Sequence, residues 1–153
     1  MSSRIARLAA TGALVAVTLG AARPAVQPIT VQASTTYTIG VSLPFNELAE
    51  LANGISHGVQ VAVKQANASH MVPGVTFQVK TLDDTLNGQH DGAKDAANGL
   101  QFIDDATVFG EVGPLNSSAA KVSAPTYNRA GLAQISPSNT NPDLTARAQR
   151  EQY

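Results

Sequence analysis

The sequence predicts an α/β fold, a three-layer arrangement around a parallel sheet built from βαβ repeats. Three observations predict it. Short apolar, β-branched runs alternate with longer stretches whose apolar residues recur at helical spacing. Each short run ends in turn-forming residues: Leu43-Pro44, Asp83-Asp84, Gly113-Pro114 and Ser136-Pro137. Neighbouring parallel strands need crossover connections, and a helical pattern lies in each gap.

In chain order, Thr36 to Leu43 (TYTIGVSL) reads as a first strand, followed by a loop through Pro44. A helix then runs to Ala68, with Ile55, Val59, Val61, Ala62 and Ala66 on its buried side. Val75 to Leu82 alternates, placing Val75, Phe77 and Val79 on one face, and stops at Asp83-Asp84. Gln89 to Asp105 carries Ala93, Ala96, Ala97, Leu100 and Ile103 at helical spacing. Thr107 to Val112 is a third strand, ended by Gly113-Pro114. Ser117 to Arg129 is a third helix, in which the missing N–H of Pro125 predicts a kink or a broken last turn. Gly131 caps it, and Leu132 to Ser136 is a fourth strand. Four strands and three helices make a sheet short at one edge.

Composition narrows the chemistry. The chain has 153 residues, with 10 Lys+Arg against 11 Asp+Glu, no Cys and no Trp. One domain is the prior for that length. A formal net charge of -1 offers no basic footprint, so no nucleic-acid partner is expected. Without cysteine there is no disulfide framework, thiolate metal site or catalytic thiol. No cofactor and no metal are expected, because His57, His70 and His90 form no paired spacing and the Asp83-Asp84 pair has no third ligand nearby. Acidic residues just after a strand are expected to cap the following turn or face solvent.

Residues 1–33 stand apart. Arg4 and Arg7 precede an uncharged run, Leu8 to Ala22, which is 15 residues long and too short to span a bilayer. Small residues follow at the spacing of a cleavage site, after Ala22 or after Ala33. The order of basic, apolar and small residues predicts a secretory signal peptide and therefore a periplasmic or extracellular protein. Its removal leaves seven basic side chains against 11 acidic ones. No cysteine follows the apolar run, so the usual bacterial lipid anchor cannot be attached. Residues 34–153 form the remaining domain.

Ligands of open parallel sheets bind beyond the carboxyl ends of the strands. Those ends lead into Asn46-Glu47, Asp83-Asp84-Thr85, Asn116-Ser117-Ser118 and Ser138-Asn139-Thr140, which gathers small polar side chains on one rim. Ser117 and Ser118 also open a helix, where free N–H groups and the positive dipole end favour an anion such as a carboxylate. Taken singly, Ser117 reads equally as an N-cap and Thr140 as a turn residue. Gly54-Ile55-Ser56-His57-Gly58 matches the G-x-S-x-G nucleophile elbow of serine hydrolases. That motif needs a strand immediately before it, and Glu47 to Asn53 reads as loop or helix, so Ser56 is a remote alternative only.

With these residues in place, the sequence resembles the periplasmic branched-chain amino-acid-binding family, the type I solute receptors of ABC importers. The similarity runs from Tyr37 to about Thr145. It is carried by IGVSLPF, by Leu82-Asp83-Asp84, by Gly113-Pro114-Leu115-Asn116-Ser117-Ser118 and by the run from Ile135 to Thr145 (ISPSNTNPDLT). The resemblance implies the first lobe, incomplete, of a two-lobed protein that closes on a small ligand. It implies that the ligand's α-carboxylate and α-amino groups meet the Ser117 hydroxyl, backbone groups at Ser138, and Thr140. Leu51 stands where the family commonly has an aromatic over the side-chain pocket. The second lobe lies outside these residues, so the chain is expected to hold half a site. The implied partners are a small amino-acid ligand and a membrane ABC permease, with the receptor a monomer and not an enzyme. The alternative on the same fold is an extracellular sensing domain of a signalling receptor.

Overall fold

The computed structural model describes residues 34–146. The expected signal peptide, with both cleavage positions, lies outside the described residues. In chain order the elements are β1 (Thr35–Leu43), α1 (Ala49–Ala68), β2 (Val75–Asp83), β3 (Thr85–Leu86), β4 (Gln89–His90), α2 (Gly92–Ile103), β5 (Val108–Val112), α3 (Ser117–Ala130) and β6 (Ala133–Ile135), followed by a 3-10 turn at Pro142–Leu144.

β1, β2, β5 and β6 form one sheet in the order β2-β1-β5-β6, every pair parallel. Alternate residues of β1 serve opposite faces, as pleating requires. Val41 and Leu43 pack with Ala52 of α1 and with Leu115, while Ile55, Val59 and Val79 border that cluster. On the other face, Phe102 of α2 and Tyr127 of α3 pack with Val108 of β5. A Cβ on Gly40 would come within 2.9 Å of the Phe102 ring, so a side chain there would push α2 off the sheet. Among the described residues nothing beyond α1 covers the first face over β5 and β6, where Phe109 is 48% and Ile135 67% exposed.

Three details differ from the sequence reading. The second helix begins at Gly92, not at Gln89, because Asn87 (φ 52) and Gly88 (φ 80) turn the chain into the β3–β4 hairpin. Asp91 then caps α2 by accepting the Lys94 N–H at 2.7 Å. Second, α3 runs through Pro125 as one helix of 14 residues, so its last turn is not broken. Its buried side, Ala119, Ala120, Ser123 and Tyr127, holds it in place through the proline. Third, Asp84 neither caps a turn nor faces solvent; it is fully buried. Gly131 does close α3 in the left-handed conformation, φ 68.

Candidate functional site

The carboxyl ends of the four sheet strands carry the rim, and side chains there bond mainly to backbone of neighbouring loops. Asp83, at the end of β2, is saturated: Oδ1 accepts the Phe45 and Thr85 N–H groups at 2.9 and 3.2 Å, and Oδ2 accepts Asn46 Nδ2 and Thr85 Oγ1 at 2.5 and 2.6 Å. It therefore fastens the loop after β1 to the end of β2. Ser136, after β6, donates to the Pro114 carbonyl at 2.7 Å and accepts the Ser138 and Asn139 N–H groups at 3.3 and 3.0 Å. That joins the loops following β5 and β6.

The structure brings Ser117 and Thr140 together. Ser117 Oγ accepts the N–H of Thr140 at 3.2 Å and of Asn141 at 3.3 Å. Ser117 is half-buried, while Ser138 and Thr140 are exposed. With both acceptor directions of the hydroxyl occupied, its single proton remains to be donated. Asn116, the residue before α3, makes no side-chain capping bond. The first-turn N–H groups of α3 are thus left without a side-chain cap, in the geometry that suits an anion. Ser138 spends its N–H on Ser136, which leaves its carbonyl and hydroxyl. A cavity of about 380 Å³, lined by Ala120, Gln134, Ser136, Asn139, Thr140 and Leu144 among others, lies on the α3 side of the same loop and does not include Ser117.

Position 113 explains why this bend needs glycine. Its φ is 150, and a Cβ there would lie 2.2 Å from the Ser42 carbonyl oxygen.

Sequence reasoning missed a bridge across this rim. The His90 N–H and His90 Nδ1 both contact Glu47 Oε2, at 2.6 and 2.7 Å, and His90 Nε2 lies 2.9 Å from Ser118 Oγ. The backbone N–H of His90, with lesser help from its ring, holds the Glu47 carboxyl below its ordinary value. The hairpin that delivers His90 was announced by Asn87-Gly88, the strongest short hairpin signal a sequence carries.

Beneath the rim lies a sealed acidic layer. Asp84, Asp95 and Glu111 are 0%, 0% and 2% exposed. Ser42 Oγ donates to Asp95 Oδ1 and accepts from Asn98 Nδ2, and Gln134 Nε2 donates to Glu111 Oε2 at 3.0 Å. Both oxygens of Asp84, Asp95 Oδ2 and Glu111 Oε1 have no partner, and no lysine or arginine among the described residues pairs with them. Burial, reinforced by the neighbouring acids, raises Asp84 to about 7 and Glu111 to about 8; burial also raises Asp95, against the nearby Ser123 hydroxyl and the hydrogen bond from Ser42. Burial likewise pushes up the Tyr127 hydroxyl, which sits beside Glu111 without a well-formed hydrogen bond.

Ser56 occupies the middle of α1, 4% exposed, with no strand before it. The serine-hydrolase geometry is not formed. Leu51 is 52% exposed in the first turns of the same helix.

A parallel sheet in the order β2-β1-β5-β6 with helices on both sides matches the first lobe of a type I periplasmic binding protein. The chain is similar in fold and sequence to substrate-binding proteins of branched-chain amino-acid ABC transporters. Among solved structures, an ABC transporter substrate-binding protein from Desulfitobacterium hafniense in complex with Leu is 32% identical, with a TM-score of 0.63 over 72% of this chain and 31% of that one. The substrate-binding protein LivJ of Streptococcus pneumoniae, in complex with isoleucine, is 28% identical, with a TM-score of 0.64 over 72% of this chain and 31% of that one. The leucine-binding protein LivK of Thermotoga maritima shares the fold at 21% identity, with a TM-score of 0.61 over 72% and 30% of the two chains. The chain thus spans less than a third of the length of these proteins. No protein-family model and no curated protein matches it.

Proposed function

We propose that this lobe supplies the carboxylate-gripping half of an amino-acid receptor for an ABC importer, with a branched-chain or similar small amino acid as ligand. The observation that carries the reading is the Ser117 hydroxyl. It is fixed by the Thr140 and Asn141 N–H groups, keeps its proton free, and stands at a helix start that no side chain caps. A ligand carboxylate placed there meets that proton, the first-turn amides of α3 and the Thr140 hydroxyl, while the Ser138 carbonyl is available to an ammonium group. Residues 1–33 would direct export, and a membrane permease would receive the ligand. The Leu and Ile complexes of the structural neighbours support this ligand class.

A single lobe leaves its ligand largely solvated, so the chain should bind leucine weakly. In a ¹⁵N-labelled sample, leucine should shift the amides of 113–118 and 136–141 in a saturable way. Ser117→Ala should weaken that response about tenfold or more, the worth of one charge-assisted hydrogen bond. Saturable shifts confined to other loops, or none, would overturn the proposal.

A further inference from the structure

We infer that the sealed acidic layer is a proton-operated lock on the rim, holding the strand tips together while its carboxyls carry protons and releasing them when those protons leave. Every sheet strand that ends at the rim reaches this layer. Ser42 of β1 donates to Asp95 of α2, while Asn98 of α2 donates to Ser42 Oγ and to the Asp83 carbonyl of β2, each at 3.0 Å. Glu111 of β5 is bonded to Gln134 of β6 and stands just before the Gly113 bend. Asp84 joins backbones as well: its N–H donates to the Leu43 carbonyl at 3.1 Å, and its carbonyl accepts the Asp91 N–H at 3.0 Å. The three acids therefore lie directly under the residues that shape the rim.

The layer is short of hydrogens. Asp84 Oδ1 and Oδ2, Asp95 Oδ2, Glu111 Oε1, Asn98 Oδ1 and Tyr127 Oη are buried and unpartnered, and of these six atoms only the tyrosine hydroxyl brings a hydrogen. Asn98 and Tyr127 are each 1% exposed, so bulk water does not reach them. Protonated, each acid becomes a donor to a neighbouring acceptor; ionised, it adds like charge where no lysine or arginine among the described residues pairs with it. Glu111 faces Asp95 of α2, Tyr127 of α3 and Asp84. Asp84 faces Asp95 and, on the rim side, Asp83, Glu47 and His90, of which only His90 favours its charge. Burial keeps Glu111 protonated to about 8 and Asp84 to about 7. Above those values the layer carries charge that only water relieves, and water enters where the strand tips part.

The test needs no ligand, so its outcome is independent of the receptor reading, on which only the consequence for binding rests. Amide hydrogen exchange of the chain, corrected for intrinsic rates, is followed from pH 5 to 8. The Asp84, Asp91 and Gly113 amides close the strand tips through the Leu43, Asp84 and Ile135 carbonyls. Their protection should fall about tenfold per pH unit for each proton linked to opening. It should also lie below that of Val59 to Val63 in α1 throughout, because the tips open while the opposite face of the sheet stays packed. Glu111→Gln and, independently, Asp84→Asn should each flatten the fall at the tips. In the ¹³C-labelled parent, the Glu111 carboxyl carbon should keep its protonated position at pH 6. Tip protection that is flat with pH, variants with the parent's slope, an α1 protected no better than the tips, or Glu111 ionised at pH 6 would each overturn the lock and leave the receptor reading untouched.

Discussion

Glu111 offers the sharpest physical test of the fold. It sits on β5 at 2% exposure, its Oε2 held by Gln134 and its Oε1 unpartnered, with Asp84 and Asp95 nearby. Burial, with Asp95 adding like charge, raises it from 4.5 to about 8. The folded protein therefore keeps a proton that the unfolded chain releases above 4.5. In that window folding takes up a proton, so stability is fully present below the unfolded value and is lost as pH rises towards the folded one. The slope is about 1.4 kcal/mol per pH unit, or roughly 5 kcal/mol across the window. Glu111→Gln keeps an oxygen for the Gln134 amide and removes the ionisation. Urea unfolding followed by far-UV circular dichroism at several pH values between 5 and 8 should show the parent weakening with pH. The variant should weaken less and overtake the parent near pH 8 by a few kcal/mol. Asp84, raised to about 7 by burial and by Asp95, leaves a residual slope in the same direction. A parent whose stability is flat or rises between pH 5 and 8, or a variant with the parent's slope, would refute the reasoning.

Two further perturbations probe the frame of the rim and the open face of the sheet. Gly113→Ala forces a Cβ to 2.2 Å from the Ser42 carbonyl at a φ of 150, and should cost about 3 kcal/mol or more in thermal unfolding. A melting temperature unchanged from the parent would show that the bend can relax. Ile135, 67% exposed beside Phe109, should tolerate Ile135→Lys within about 1 kcal/mol while lowering dye binding and self-association; undiminished dye binding would locate the sticky surface elsewhere.

How much of this the sequence discloses depends on the range of the interaction. The strands and their order along the chain follow from local pattern, because β-branched runs and helical spacing are written residue by residue. The polar rim was legible for the same reason: Pro44, Gly113-Pro114 and Pro137 mark where each strand stops, and the small polar residues follow at once. The strand ends put Ser117 and Thr140 on one rim and the family resemblance gave them a shared ligand, but the hydrogen bond joining them spans 23 residues and no local pattern announces it. The acidic layer was not legible. Asp84 follows a strand and looks like a turn residue, and Glu111 lies in TVFGEV, where one polar residue in an apolar run says nothing about which face it takes. The bulge between β1 and β5 shifts the register there, so alternation counted from Val108 does not predict that Glu111 faces α3. His90 was read as a scattered histidine because its partners, Glu47 and Ser118, are 43 and 28 residues away.

The placement of the hydrogen bonds has a consequence for how the lobe would work. Asp83 ties the β1 loop to β2, Ser136 ties the β5 loop to the β6 loop, and His90 ties the β1 loop to α3. Each tie uses a side chain on one loop and a partner on another, so the rim is assembled before any ligand arrives. A preassembled rim spares a ligand the entropy of ordering these loops. Affinity in a two-lobed receptor then depends on closure over a fixed first surface rather than on folding of that surface. It follows that cutting a tie should act differently from deleting a contact. Loss of the Ser117 hydroxyl removes one bond to the ligand, whereas Ser136→Ala would release both the Pro114 and the Ser138–Asn139 backbones and loosen the donors as a group.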